Sequence, residues 1–133
     1  PQLVPEQGSS GPAKTDPLAG AIVTTELAGA RPWPGLERFL GLLAERHATL
    51  RIPGSGTASL AGVALGRGVA TVIHHFNPID HAAAVLVVVE AGGVVLDTAG
   101  RTTLWPEGAV IAARDEETAH AVLDLWRQAT AGG

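Results

Sequence analysis

Apolar residues fall along the chain in short blocks whose spacing alternates between that of strands and that of helices. Ala21-Ile22-Val23-Thr24-Thr25-Glu26-Leu27 has the β-branched content of a strand. Trp33-Pro34 then predicts a helix start, with proline in its tolerated first turn. Leu36, Phe39, Leu40 and Leu43 recur at i, i+3, i+4 and i+7, the stripe of a helix facing a core, with Arg38, Glu45 and Arg46 decorating it. A brief strand is predicted at Thr49 to Ile52. Pro53-Gly54-Ser55-Gly56 turns the chain into a helix on which Leu60, Val63 and Ala64 share a face, and Gly66 to Gly68 stops it. Val69 to Ile73 reads as the next strand. Near the end, Val110-Ile111-Ala112 reads as a last strand, and Asp115-Glu116-Glu117 caps a helix whose Ala119, Val122, Leu123 and Trp126 face inward. Such alternation argues for an α/β fold, one sheet covered by helices on both faces.

Between these halves lies an apolar run with a single carboxylate at its mouth, Ile79-Asp80-His81 followed by Ala82 to Val89 and then Glu90-Ala91-Gly92-Gly93. Four valines between Val85 and Val89 suit a buried strand as well as a helix. Length and flanking signals favour a helix from about Asp80 to Ala91, packed on all sides, with a short strand at Val94 to Leu96 and a polar turn at Asp97 to Arg101. Asp80 would meet the positive end of the helix dipole and cap free N–H groups. Gly92 would close the helix in the left-handed conformation.

This run resembles the C-terminal signature of the inositol monophosphatase family, the magnesium-dependent phosphomonoesterases: Asp-x-Ala-Ala-Ala, aliphatics, Glu-Ala-Gly-Gly and a strand ending in Asp97. The family usually carries tryptophan where Ile79 stands. The resemblance implies a metal-ligand role for Asp80. It covers the chain from about Ala21 to the end, and implies a single mixed sheet of about five strands with helices on both faces, like the family's C-terminal lobe.

A second informative stretch is Arg51-Ile52-Pro53-Gly54-Ser55-Gly56-Thr57-Ala58-Ser59-Leu60. Free N–H groups at such a helix start bind anions or hydroxyls, and glycines let a ligand approach the backbone. The spacing misses the dinucleotide fingerprint. Taken by itself the segment is read as Ser55 capping a helix. The resemblance adds a likeness to the family's Gly-Ser/Thr-Ala segment, which implies that Gly54, Ser55 and Gly56 contact the substrate. Inositol-specific members carry a glutamate at the end of the strand before the aspartate, where this chain has Ile73. That puts inositol phosphate in doubt as the substrate.

Composition narrows the remaining classes. With 133 residues the chain is one domain's worth, and 46% hydrophobic against 17% charged residues marks it as globular. A net charge of −4 gives no nucleic-acid footprint. There is no cysteine, so disulfides and thiolate zinc sites are out. No apolar stretch approaches the roughly 18 residues that cross a bilayer. The expectation is a soluble, cytoplasmic chain that binds neither membrane nor nucleic acid. It starts at Pro1 and holds no methionine, which suggests a processed chain, a trimmed one or a piece of something longer.

Residues 1–20, with four prolines and three glycines, suit an extended or disordered leader, and 21–133 the α/β domain. Asp16-Pro17-Leu18-Ala19-Gly20 superficially resembles the family's Asp-Pro-Leu-Asp-Gly-Thr motif, but alanine replaces the second aspartate and no threonine follows. It is read as coincidence. His74 and His75 point to opposite faces if on a strand, and His81 is about 100° round the helix from Asp80, so none is expected to chelate with it. Glu90 and Asp97 are read as helix-end and turn residues.

Two-cation phosphoryl transfer needs several carboxylates. In the family the others come from the N-terminal half, whose motifs are missing here. The resemblance therefore implies the C-terminal lobe of a phosphatase of this kind. It would use Mg2+ only in the complete enzyme, take a small phosphorylated substrate, partner the missing N-terminal lobe or a second copy of itself, and hold no catalytic residue of its own beyond the metal ligand. The chain alone would be inactive. The alternative is a non-catalytic binding or oligomerisation module retaining the lobe's fold.

Overall fold

The computed structural model describes residues 16–131. Its five strands are β1 (Ile22–Thr25), β2 (Thr49–Arg51), β3 (Ala70–Ile73), β4 (Val94–Leu96) and β5 (Val110–Ala113), and its four helices are α1 (Leu36–Glu45), α2 (Gly56–Ala64), α3 (Pro78–Glu90) and α4 (Glu116–Thr130). The strands form one sheet in the order β2-β1-β3-β5-β4. β1 runs parallel to β2 and β3, whereas β5 is antiparallel to both β3 and β4. This is the mixed, helix-covered sheet that the alternation and the resemblance predict.

The path of the chain decides which face each helix covers. From β1 it steps through α1 to β2, then returns through α2, across β1, to β3. Crossovers between parallel strands keep one hand, so two steps in opposite directions put their helices on opposite faces. On one face, Val23, Val72 and Ile111 meet Leu36, Phe39 and Leu43 of α1 and Val122 and Leu123 of α4. On the other, Ile73, Val95, Val110 and Ala112 meet Leu60 and Val63 of α2 and Ala84, Val85 and Val88 of α3. Every residue of β5 is buried, which is why Val-Ile-Ala-Ala carries no polar alternation.

Several expectations need correction. The folded unit begins before the boundary drawn after Gly20: Leu18 is wholly buried in the core, and Asp16 accepts two hydrogen bonds from Arg46, at 2.6 and 2.7 Å. This pair holds the Asp16 carboxyl at about 2, below the usual carboxylate range, and gives Asp16 a structural role. Residues 1–15 and 132–133 lie outside the described residues.

α1 starts at Leu36 rather than at Trp33-Pro34, behind Gly35 in the left-handed conformation (φ 97°). Trp33 is instead a buried plug whose indole Nε1 donates to Thr25 Oγ1 at 3.0 Å. Leu40, expected on the inward stripe, lies at its margin and is 50% exposed. α3 starts at Pro78 and its cap is Asn77, not Asp80; Gly92 follows it with φ 91°, the left-handed close expected there. Nor is α3 packed on all sides: its outward residues Ile79, Leu86 and Val87 are exposed.

Candidate active site

β1 leaves the sheet toward β2 and β3 leaves it, by way of α3, toward β4. Loops at the carboxyl ends of these neighbouring parallel strands therefore diverge and open a crevice, the usual ligand position in such sheets. A cleft of about 330 Å3 lies there. Its lining comes from Glu26 to Gly29 after β1, from Ile52 and Gly54 to Gly56 after β2, from Ile73 at the end of β3 with His74 and His75 after it, and from His81.

Local sequence explains how the walls are held. Glu26 follows directly on β1, and its Oε2 accepts a 2.6 Å hydrogen bond from Ser59 Oγ, which ties the carboxylate to the first turns of α2. Ser55 caps α2, its side chain accepting from the Ala58 N–H at 3.2 Å, as the local reading of that segment predicts. Asn77 caps α3 by accepting from the N–H groups of Ile79 and Asp80 at 2.9 and 3.3 Å. In return the Asn77 N–H donates to His81 Nδ1 at 3.0 Å. A neutral His81 therefore carries its proton on Nε2. The two helix starts are also joined directly, because Thr57 Oγ1 donates to the Asp80 carbonyl at 3.1 Å.

Gly56 is what lets them come so close. A Cβ at that position would stand 2.5 Å from His81 Nε2, so the imidazole occupies the space that a side chain would need. On the opposite wall, the His74 ring stacks on Trp33 with centroids 5.0 Å apart and planes 2° from parallel, and His75 meets it edge-on at 4.8 Å. Burial, helped by the neighbouring His75, lowers the pKa of His74, which is thus neutral at pH 7.

Of the site residues expected from sequence, Gly54, Ser55 and Gly56 lie in the cleft wall. Asp80 is exposed on the first turn of α3 and is not among the residues that line the cleft, whereas its neighbour His81 is. Sequence reasoning passed over Glu26, His74, His75 and His81 as lining residues. Glu26 was legible in principle, as a carboxylate directly after a strand of β-branched residues. The histidines carried no such signal, since their place depends on how the loops after β3 and before α3 fold together.

With these residues the cleft offers backbone N–H groups at the start of α2, one carboxylate and imidazole nitrogens, a donor and acceptor set suited to a small polar ligand. It does not by itself suit Mg2+, which takes an octahedral shell of oxygens. Among the described residues no group of three or more His, Asp or Glu side chains is placed to hold a metal ion.

Comparison with known proteins bears on the same region. A sequence model of the inositol monophosphatase family matches residues 7–130. "Inositol monophosphatase 2" of Rattus norvegicus is 35% identical over 106 residues, 77% of this chain and 37% of that protein. "Inositol monophosphatase" of Dictyostelium discoideum is 33% identical over 87 residues, 62% of this chain and 32% of that protein. Among solved structures, the Thermotoga maritima IMPase superposes with a TM-score of 0.77 at 23% identity, over 90% of this chain and 45% of that one. Mycobacterium tuberculosis SuhB gives 0.66 at 26% identity, over 88% and 45%. The chain thus spans less than half the length of these relatives.

Proposed function

Because the chain belongs to the inositol monophosphatase family, we propose that it is the C-terminal lobe of a magnesium-dependent phosphomonoesterase. In this reading Asp80 supplies one metal ligand, and the turn through Gly54, Ser55 and Gly56 forms part of the wall around a small phosphorylated substrate. The remaining carboxylates belong to the half of the family fold that this chain does not span, and the 133-residue chain alone does not hydrolyse phosphate esters. The observation that carries the reading is the position of Asp80. It stands on the first turn of α3, where the helix dipole favours a carboxylate, beside the crevice at the carboxyl ends of the parallel strands. Its exposure leaves it free to bind outward, away from this chain's own core.

Within this lobe the roles are those of binding and orientation. Free N–H groups at the start of α2 attract the anionic end of a ligand, and Glu26, fixed by Ser59, accepts from a hydroxyl. When bound, magnesium would polarise a phosphoryl oxygen. Ile73, buried at the end of β3, places no carboxylate at the cleft wall, which favours a less hydroxylated alcohol part than inositol.

The reading is tested by assaying magnesium-dependent phosphate release by the 133-residue chain and by the longest natural form, each with and without Asp80→Asn. Activity is expected only in the longer form and only with Asp80 intact. Activity in the short chain that survives the substitution would overturn both mechanism and site.

A second reading, a non-catalytic module that keeps the lobe's fold, is favoured by Ile79, which stands 93% exposed where the family usually has tryptophan, and by Ile73 in place of a glutamate. It predicts no activity in either form.

A further inference from the structure

A second groove, of about 370 Å3, lies between α2 and the strands β1 and β2, and it shares only Ile52 with the cleft described above. In its floor Thr24 stands in register with Arg51, and in-register neighbours on adjacent strands turn their side chains to the same face. Arg67 lines it from the turn between α2 and β3. Arg46, Arg101 and Arg114 each pair with a carboxylate, and Arg38 and Arg127 donate to backbone carbonyls. Arg51 and Arg67 have no such partner among the described residues, and no Asp or Glu among them lines the groove.

Two further observations point to a ligand. Thr24 is only 9% exposed, and its Oγ1 is buried without a hydrogen-bond partner. The neighbouring threonines are satisfied: Thr25 Oγ1 donates to the Val72 carbonyl at 2.7 Å and Thr71 Oγ1 to the Thr24 carbonyl at 3.0 Å. A buried hydroxyl left unpaired is destabilising, and an acceptor atom in the groove would complete it. Gly62 lies within α2, where alanine would suit the helix better. A Cβ there would meet nothing nearer than Arg67 Cβ at 3.8 Å, so neither backbone conformation nor crowding calls for glycine. Its bareness keeps the wall of the groove open.

We infer that this groove binds a small organic oxyanion, a carboxylate or phosphate head on a short apolar body. Guanidinium groups match both kinds of head with paired N–H donors, the Thr24 hydroxyl adds another donor, and Ile22, Pro53 and Val63 receive the body. The site does not rest on the proposed phosphatase function, since it lies outside the cleft and uses no metal.

The test is an NMR titration of the isotope-labelled 133-residue chain with benzoate, with phenyl phosphate and, as a neutral control, with benzyl alcohol. At least one anion should shift the amides of Gly62 and Gly68 and saturate in the millimolar range or below, and the one that saturates at the lower concentration identifies the head. Benzyl alcohol should leave these amides in place. Arg51→Gln combined with Arg67→Gln should weaken binding by about ten-fold or more, and Thr24→Val, which keeps the shape, by about ten-fold. Gly62→Leu, which fills the wall and favours the helix, should abolish binding while the rest of the spectrum stays that of the folded chain. Binding of neither anion, equal shifts with benzyl alcohol, or an affinity unmoved by any one of these substitutions would overturn the site. Anion shifts confined to Gly54, Ser55 and Gly56 would place binding in the cleft and overturn it as well.

Discussion

On the α1 and α4 side, the inward positions are filled by Phe39, Leu43, Val122 and Leu123, and charged residues crowd the outward ones. On the α2 and α3 side the inward positions are filled just as completely, by Leu60, Val85 and Val88, but apart from Asp80 and Glu90 the outward ones are apolar or small. Both layers seal the same sheet, so burial against the sheet cannot account for the difference. What differs is the second surface. The α1 and α4 layer ends at water, whereas the α2 and α3 layer has the composition of a middle layer and an exposed side.

That contrast can be broken by comparing truncations on the two sides. Phe39→Ala removes a ring at the centre of the α1 side and should cost about 3–5 kcal/mol. Leu86→Ala, on the outward stripe, should change the stability of the isolated chain by no more than about 0.5 kcal/mol. Urea unfolding of the two variants checks both. A large loss from Leu86→Ala would mean that the stripe is already packed in the free chain.

Smaller effects sharpen the picture of how the helix starts are held. Asn77→Ala removes the acceptor for two N–H groups and should cost about 1 kcal/mol. Gly56→Ala puts a methyl group against His81 Nε2; because the imidazole can turn aside, the cost is again about 1 kcal/mol. Its clearer readout is a change in the NMR shift of the His81 ring. An unchanged ring would mean that the two helix starts are not packed as described.

Acid should loosen the α1 side first. His74, whose pKa is lowered by burial against Trp33, contributes fully above its ordinary value of 6.5, and its contribution is lost as pH falls through the lowered value. The Asp16 pair with Arg46 is complete above 3.8 and is lost as pH falls through about 2. Being partly solvated, that pair contributes at most about 1 kcal/mol. Thermal melts from pH 8 to pH 2 should fall first through the His74 step and then through a carboxylate step, to which Asp97 and Asp115, also held low by hydrogen bonds, add their share. Replacing His74 by Phe should remove the first step and leave the second.

Much of this was legible in the sequence. Spacing alone located the elements, because Leu36, Phe39 and Leu43 mark one helix face and Asp115 caps another, and both hold in three dimensions. Gly54, Ser55 and Gly56 were legible because a cap and a glycine turn are local features. The start of α3 was misplaced, since Asn77-Pro78 and Asp80 are both plausible openings and only the hydrogen bonds to Asn77 decide between them. Leu18 and the histidines of the cleft were not legible, because their positions depend on contacts between segments distant in sequence. The apolar outward stripe of α3 was read as buried. The apolar character of that stripe was legible, but its burial was not, since among the described residues nothing packs on it.

Hydrogen exchange along α3 tests the central claim most directly, measured in the isolated chain and in a chimera that places the amino-terminal half of the Thermotoga maritima IMPase ahead of it. The account predicts that amides of α3 slow by ten-fold or more in the chimera while those of α1 and α4 change little, since a docked helix opens only when the docking does. Equal slowing of both layers, or no slowing of α3, would contradict it.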